Sequence, residues 1–353
     1  MPMQIGLDSW RPEDADYFTD LGVTWTKINV PDADKGVSES FGLLAEAAAA
    51  RGLHVIADLR PSGELEQRIG LMRETADPNG IKFDLAMREM TAGIAANVKE
   101  FAPLVSAWEF WGEYNCPHVG GFFPGGRVNY PNILSWVYST VKEVAPEAQV
   151  WNGGYGVEFQ PQFAEALIDD APLSFDALNW HHYNISRYSE LRDGNGAPRF
   201  DEPLADRLRY SAGQFREMFE NVRRRMEAQG CHQPFVASEW GMPVVSDEVV
   251  EQLKAAQLFS FVFQDGAYGL GETEAAAYMD VWLSTFERIG MEVLVVHRLR
   301  DDVPHGADMN GTFWGVYCGL LFADGKPKLT YDLVKSWAHH NNGKGEPDGP
   351  GYL

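Results

Sequence analysis

Two glutamates are notable because each ends a run of apolar residues that is typical of a buried β-strand. Glu113 ends the run Ser106–Glu113, and Glu239 ends the run Phe235–Glu239. The chain has 51 acidic residues, so any one carboxylate is by default a solvated surface charge, but one at the end of a buried strand needs a reason to be there. A pair of such groups has the chemistry to cleave a glycosidic bond, one as proton donor and the other as nucleophile.

The strand before Glu113 carries further groups. If it runs from Val105 to Glu113, side-chain alternation puts Glu109 and Trp111 on the same face as Glu113.

The distance between Glu113 and Glu239 would decide the course of the reaction. If their carboxyl groups lie about 5–5.5 Å apart, a double displacement with retention of configuration follows. Two acids at this distance cannot both ionise freely, so the one in the less polar surroundings keeps its proton. The alternative is structural, in which either glutamate only satisfies buried hydrogen bonds.

Short apolar runs alternate with amphipathic segments along the chain. This pattern predicts eight strands, each followed by a helix. The predicted strands are Met3–Leu7, Val23–Val30, Leu53–Leu59, Val105–Glu113, Gln149–Gly153, Phe175–Tyr183, Pro234–Trp240 and Met291–Leu299. The predicted helices cover residues 12–20, 40–50, 86–101, 131–144, 160–170, 206–228, 275–288 and 331–340.

The connections between these elements indicate a barrel. Helix-to-strand turns are short and contain Gly or Pro, whereas strand-to-helix connections are long, as is typical of the functional face of a (β/α)8 barrel. A doubly wound sheet would alternate in the same way, but neither GxGxxG after the first strand nor a phosphate loop GxxxxGK[ST] is present. We predict an α/β fold, a single-domain (β/α)8 TIM barrel over residues 1–340, with 242–274 as a lid insertion and 341–353 as a C-terminal tail.

The two glutamates also lie in recognisable motifs. Trp108–Glu113 resembles the WExWNEP motif on strand four of clan A glycoside hydrolases, and Ala237–Gly241 resembles the strand-seven nucleophile segment of that clan. The resemblance extends to about residue 338. It implies a retaining glycosidase that acts on β-linked glycosides or oligosaccharides without a cofactor, with Glu113 as acid/base and Glu239 as nucleophile.

One position departs from the motif. Clan members usually carry Asn immediately before the acid/base, where it holds the sugar 2-hydroxyl, but this chain has Gly112, and Tyr114 replaces the following Pro. The departure implies a different donor, a substrate that is handled differently at C2, or weakened catalysis. Asn115 and Asn152 are both candidates for the missing donor.

Further resemblances predict substrate-binding residues. The end of strand six resembles the SxHxY ending of family 39-like and family 5-like members, which implies that His181 and Tyr183 face the site and that His182 faces the helices. The segment from Phe313 to Lys328 resembles the closing WGLxDxxGxPK segment, in which the Trp lies under the bound sugar, so Trp314 is expected there.

Other polar and aromatic side chains fall near predicted strand ends. We expect ligand contact from Asn152, Arg60, Trp111, Trp240 and His297, although Trp240 could face either way. A buried polar network is the preferred interpretation of Lys27, Asn29 and Asp58. Glu109 lies deeper and is expected to pair with a base, and Trp136, Trp282 and Trp337 follow helical stripes of the core.

Two other classes of protein remain open at this point. Barrel isomerases of sugars gather Glu, Asp and His around Mg²⁺ or Mn²⁺, and Glu113, Glu239, His181 and Asp58 could form such a site. A non-catalytic carbohydrate-binding barrel is the third class, and Gly112 supports it. We favour the glycosidase, with no metal.

Composition limits the partners. The formal charge of −22 argues against nucleic acid and anionic membrane, so a carbohydrate substrate is the expected partner. Cys116, Cys231 and Cys318 have no disulfide or metal spacing, and Met1–Trp10 lacks the pattern of a signal peptide. We therefore expect a cytoplasmic protein. The sugar, the linkage, the aglycone, exo or endo action and the oligomeric state are left open by the sequence.

Overall fold

The computed structural model describes residues 2–65, 68, 81–114, 126–155, 161–183, 204–248, 251, 270–302 and 317–343. One parallel sheet contains the strands β1 (Gln4–Asp8), β2 (Trp25–Val30), β3 (His54–Leu59), β4 (Val105–Phe110), β5 (Gln149–Asn152), β6 (Leu178–Tyr183), β7 (Phe235–Gly241) and β10 (Met291–Val296). A short parallel pair is formed by β8 (Val244–Val245) and β9 (Leu270–Gly271).

Helices follow the strands of the sheet. They are α1 (Ala15–Leu21), α2 (Glu39–Ala49), α3 (Ile81–Phe101), α4 (Gly126–Val144), α5 (Pro161–Asp170), α6 (Leu204–Ala228), α7 (Glu272–Arg288) and α8 (Leu329–Asn341). Gly22 ends α1 in a left-handed conformation with φ of 71°, and its N–H donates to the carbonyl of Phe18. Glycine is favoured at such helix ends because it has no Cβ to clash.

The sheet closes into a barrel. Its strand order is β5-β4-β3-β2-β1-β10-β7-β6. Two parallel bridges, Trp151 with Ala177 and Tyr155 with Trp180, join β5 to β6 at the open edge. Parallel strands covered on both faces are buried almost throughout, as in β10, where Glu292 is the exposed position. The prediction of a (β/α)8 TIM barrel is confirmed.

Side chains inside the barrel fall into an apolar and a polar layer. The apolar layer lies toward the N-terminal ends of the strands and consists of Trp25, Ile56, Ala107, Trp151, Ala177, Val236, Val293 and Val295. The polar layer begins two residues further along three of these strands. Its buried members there are Lys27, Asp58 and Glu109. The strand period therefore brings polar groups to the C-terminal mouth of the barrel.

The lid and tail predictions are only partly covered by the described residues. β8 and β9 lie within the predicted lid at 242–274, but most of its predicted helix, Glu248–Phe263, lies outside the described residues. α8 runs to Asn341, whose side chain donates to the carbonyl of Met3 at 2.8 Å. Asn341, the first residue of the predicted tail, thus still belongs to α8, and the domain boundaries stay predictions. Among the described residues, no helix has both the length and the hydropathy needed to cross a bilayer.

Candidate active site

Glu113 lies in a tight turn after β4 and not within the strand. Trp111 and Glu113 have left-handed backbones, with φ of 62° and 59°, which costs an L-residue about 1–2 kcal/mol. The N–H of Glu113 donates to the carbonyl of Gly154 at 2.8 Å. The predicted strand Val105–Glu113 is therefore too long, since β4 ends at Phe110. Strain of this kind persists only where the surroundings enforce it, and it is common at functional sites.

Glu239 reaches the barrel mouth because β7 is irregular. Its register with β6 shifts, so that Trp180 pairs with Ala237 and His181 pairs with Glu239. Ser238 is the additional residue, and its hydroxyl lies 2.9 Å from Nε2 of His181. Oε2 of Glu239 lies 3.4 Å from Nδ1 of the same ring. Two consecutive side chains thus face one imidazole, as a bulge allows and regular alternation does not.

His181 lies between the two glutamates. Its Nδ1 is 3.1 Å from Oε1 of Glu113, and its Nε2 is 3.0 Å from Oε1 of Glu109. Burial lowers the pKa of His181, but the charges of Glu239 and Glu109 outweigh burial, and the pKa rises from 6.5 to about 9. At neutral pH the ring is therefore protonated, although Nε2 also lies 3.1 Å from Nζ of Lys27, whose charge lowers the pKa of His181.

Lys27 is a second buried cation at the site. Its Nζ lies 2.9 Å from Glu239, 3.1 Å from Glu109 and 3.5 Å from Asp58. Burial lowers the pKa of Lys27, but these three carboxylates raise it above its ordinary value. Burial also opposes ionisation of Glu109, yet Lys27 and His181 lower its pKa to about 2. Glu109 is thus paired with a base, as predicted, and its position is structural.

The predicted catalytic pair lies close together. Oxygens of Glu113 and Glu239 and a ring nitrogen of His181 all lie within 4.8 Å of one another. Glu113 is 5% exposed, and the side chain of Glu239 is 13% exposed. Both carboxylates are therefore near a single point at the mouth, where the two roles of glycoside cleavage could be divided between them.

These three side chains also have the donor types of a metal site. A divalent ion would have to displace the proton of His181, because a ligating histidine must be neutral and the pKa of His181 is about 9. Lys27 already neutralises Glu239 from 2.9 Å. Asp58, the fourth proposed ligand, lies 2.8 Å from Arg60 and 3.5 Å from Lys27. Each carboxylate that the isomerase interpretation would use thus already lies beside a basic side chain: Glu239 beside Lys27, Asp58 beside Arg60, and Glu113 beside His181 at 3.1 Å.

Three predicted binding residues do not face the site. Asn152 is fully buried, and its side chain bonds to the backbone of Asn179 and Gly153 at 2.7–3.0 Å. Trp240 is fully buried against Phe286 of α7, because the bulge leaves it on the outer face of β7. Trp111 is 2% exposed and packs in the core, since the left-handed turn removes it from the alternation of β4. These predictions of ligand contact are corrected.

Of the other predicted residues, His297 lies at the barrel mouth, His182 faces the helices, and the side chains of the rest lie outside the described residues. His297 follows β10 at the mouth, with its Nδ1 2.6 Å from Asp8. His182 packs on Phe215 and Trp282, which confirms that it faces the helices. The backbone of Tyr183 ends β6, but its side chain, Trp314 and Asn115 lie outside the described residues.

The interpretation of Lys27 and Asp58 as a buried network is confirmed. For Asn29 it is wrong, because this residue is exposed. Arg60 lies beside Asp58, with its side chain 29% exposed. Among these four residues at the ends of β2 and β3, Arg60 is thus the one that is both charged and open to solvent.

Sequence reasoning missed three residues that shape the site. Ser238 contacts His181, and Asn179 donates to the hydroxyl of Ser238 at 2.8 Å. At Gly154 a Cβ would lie 1.9 Å from the His181 ring, so only glycine fits. The pair Gly153–Gly154 at the end of the fifth predicted strand is a signal for such close approach. The bulge at Ser238 has no comparable signal.

The fold is a (β/α)8 barrel with two glutamates at its C-terminal mouth. Three solved structures share this fold. An exo-β-1,4-mannosidase from an Opitutaceae bacterium, strain TAV5, aligns with a TM-score of 0.63 and 15% identity, over 97% of this chain and 60% of that chain. A glucosidase from Croceicoccus marinus aligns with a TM-score of 0.58 and 12% identity, over 97% of this chain and 67% of that chain. A β-glucuronidase from Ruminococcus gnavus aligns with a TM-score of 0.55 and 13% identity, over 96% of this chain and 50% of that chain.

These similarities confirm the (β/α)8 barrel fold. The chain spans 60% and 50% of the length of the mannosidase and the glucuronidase. No protein-family model and no curated protein matches the sequence. What the barrel does in this protein must therefore be argued from its own residues.

Proposed function

We propose that the protein is a retaining glycosidase for β-linked glycosides or oligosaccharides, with Glu113 as acid/base and Glu239 as nucleophile. The observation that carries the proposal is that one oxygen of Glu113 and one oxygen of Glu239 lie within 4.8 Å of each other at the C-terminal mouth of the barrel. Retaining enzymes hold their carboxyl groups about 5–5.5 Å apart and inverting enzymes about 6.5–9.5 Å apart, so a short approach between single oxygens favours the retaining arrangement. The motif resemblance and the glycosidase neighbours support the same class.

The reaction proceeds in two displacements. In the first, the carboxylate of Glu239 attacks the anomeric carbon while the carboxylic acid of Glu113 protonates the leaving oxygen. In the second, the carboxylate of Glu113 takes a proton from water, the water oxygen attacks the anomeric carbon, and Glu239 is released as a carboxylate. Each displacement inverts the configuration, so the product retains it.

Negative charge moves from Glu239 to Glu113 during the first displacement, and the buried cations Lys27 and His181 can stabilise it at both places. Lys27, at 2.9 Å, favours the ionised form of Glu239 before the attack. After the attack the negative charge lies on Glu113, and His181 Nδ1 is 3.1 Å from that carboxylate and 3.4 Å from Glu239. A protonated His181 can therefore donate to whichever carboxylate is charged, with little movement of the ring.

The partner is a carbohydrate, and the mechanism needs no cofactor. The charge of −22 disfavours polyanionic partners. Cys231 and Cys318 are buried thiols, which fits a reducing compartment, so we place the enzyme in the cytoplasm.

The test is a screen of nitrophenyl β- and α-glycosides, run with and without EDTA. We expect EDTA-insensitive release from at least one β-glycoside. Glu239→Ala should abolish this release, and azide should restore part of it by forming a glycosyl azide of inverted configuration. Glu292→Ala is the matched control, because Glu292 is an exposed glutamate at the opposite end of the barrel, and it should retain full activity.

Each contrary result has a distinct meaning. Loss of release with EDTA would replace the proposal by the metal-dependent reading. Release that survives Glu239→Ala unchanged would remove Glu239 from the nucleophile role. No release from any glycoside would favour the binding barrel that has lost turnover.

A further inference from the structure

Position 112, next to the proposed acid/base, lacks a side chain because its space is filled. A Cβ on Gly112 would lie 3.0 Å from Nη2 of Arg60, 3.0 Å from Oδ2 of Asp58 and 3.2 Å from Cε1 of His181. These distances are tighter than most Cβ contacts in proteins. The φ of Gly112 is outside the left-handed region, so its backbone would accept a side chain. Space, and not backbone conformation, thus excludes one.

Asp58 holds the arginine in this space. Its Oδ2 accepts a hydrogen bond from Nε of Arg60 at 2.8 Å, and its Oδ1 accepts one from the N–H of Gly112 at 3.2 Å. One carboxylate therefore fixes both the guanidinium and the backbone beside Glu113. The charge of Asp58, and then that of Glu239, raise the pKa of Arg60 above its ordinary value, so the group is a permanent cation.

Arg60 is also the accessible donor of this cluster. Its side chain is 29% exposed, whereas those of Lys27 and Asp58 are 1% and 0% exposed. The ammonium of Lys27 already contacts three carboxylates. Among the described residues, the guanidinium of Arg60 is paired only with Asp58, through Nε, so its Nη groups have donors to offer a ligand.

The position of Arg60 selects the ligand group. Nη2 of Arg60 lies at Gly112, directly before Glu113, and the charge of Glu239 acts on its guanidinium. From this place it can reach a substituent on the carbon next to the anomeric carbon, and arginine can only donate. Because Asp58 already balances its charge, a neutral hydroxyl matches the guanidinium better than an anion does. We propose that Arg60 donates a hydrogen bond to the 2-hydroxyl of the sugar, in the space that Gly112 leaves, so that the enzyme selects glycosides with a free hydroxyl at C2. This inference rests on the proposed glycosidase function.

The size of the effect follows from the chemistry. Hydrogen bonds to charged groups contribute roughly a 10- to 100-fold preference, and bonds to the 2-hydroxyl strengthen in the glycosidase transition state. We therefore expect Arg60→Ala to lower kcat/KM for a 2-hydroxy glycoside by about 10- to 100-fold. For the corresponding 2-deoxy glycoside the loss should be less than about threefold, because the hydrogen bond has no acceptor there.

The experiment compares a nitrophenyl β-glycoside with its 2-deoxy counterpart, on the wild type, Arg60→Ala and Arg60→Lys. Arg60→Lys keeps a cation beside Asp58 and should lose less discrimination than the alanine variant. The control is Arg51→Ala, an exposed arginine before β3 at the other end of the barrel, which should leave both rates unchanged. Equal losses on the two substrates in both Arg60 variants would overturn the proposal.

A second pair of variants tests the shared space. Gly112→Asn should lower activity in the wild type, where the new side chain meets the guanidinium. In the Arg60→Ala background it should restore part of the preference for the 2-hydroxyl, because an amide donor then fits. If Gly112→Asn restores the preference for the 2-hydroxyl in neither background, the side chains at positions 60 and 112 do not occupy the same space. If the wild type releases nothing from any glycoside, the proposed function itself fails; if it is active but the substrate pair shows no difference, only the role of Arg60 fails.

Discussion

The two ends of the barrel interior are built by the same strands but behave in opposite ways. Trp25 and Ile56 lie in an apolar layer at the N-terminal end. Two residues further along the same strands, Lys27 and Asp58 are buried as a charged pair 3.5 Å apart. The apolar layer stabilises by burial alone, whereas each charge in the other layer is satisfied only by its neighbours. We therefore expect the proposed chemistry at the charged, C-terminal end, and tolerance to substitution at the apolar, N-terminal end.

The largest effect is expected at Glu113, in the charged layer. Glu113→Ala should lower the rate for substrates with poor leaving groups by about 10²- to 10⁴-fold, because these need protonation. Substrates with good leaving groups, such as dinitrophenyl glycosides, should be affected much less in the first displacement. The measurement is kcat/KM over a series of leaving groups. Equal losses across the series would remove Glu113 from the acid role.

The next effect concerns the cation at the centre of the charged layer. Lys27→Met leaves Glu109 and Asp58 buried without their partner, so the free energy of unfolding should fall by about 3–5 kcal/mol. Urea unfolding measures this change. Lys326→Met is the matched control, since Lys326 pairs at the surface with the exposed Asp324 and its loss should not be detectable. Equal stability of the two variants would show that the network is not coupled as described.

The third effect is a pH dependence of stability. The pKa of His181 rises from 6.5 to about 9 on folding. A raised pKa means that the stabilisation is complete below pH 6.5 and is lost as the pH rises through about 9, by an amount on the order of 3 kcal/mol. Urea unfolding at pH 6 and pH 9.5 should show this loss in the wild type and a smaller one in His181→Asn. If the free energy of unfolding falls equally in the wild type and in His181→Asn between these pH values, His181 is neutral in the folded protein.

The smallest effect is expected in the apolar layer. Ile56 is fully buried, and Ile56→Val should lower the free energy of unfolding by about 0.5–1.5 kcal/mol through the lost methylene. The kcat/KM for glycosides should not change, because this layer only supports the charged one. Unfolding and activity are measured on the same preparation. If kcat/KM falls by more than the loss of folded protein accounts for, the two layers are coupled.

The sequence contains most of the barrel but only part of the site. Alternation of apolar runs and helices predicts every strand of the sheet to within a few residues, because burial on both faces imposes that pattern. Glu113 and Glu239 were predictable from their place at strand ends. The failures at Trp111 and Trp240 have a common physical cause. A left-handed turn and a bulge interrupt the two-residue period, and both are set by tertiary contacts with Gly154 and His181.

The relation between Gly112 and Arg60 was also beyond the sequence. Glycine at position 112 is visible as a departure from a motif, but nothing in the chain indicates that a side chain 52 positions earlier fills its space. Asn152 was a reasonable substitute by composition, yet its amide is fully used in joining β5 to β6. Contacts between distant strands decide such questions, and only the folded barrel shows them.

The most direct test of the account is the configuration of the first sugar released. A glycoside that the wild type cleaves is followed by proton NMR from the first minutes, before mutarotation mixes the anomers. The account predicts that the β anomer appears first from a β-glycoside, because two displacements within one carboxylate pair retain configuration. First release of the α anomer would contradict it, since a single displacement by water would then have occurred between Glu113 and Glu239.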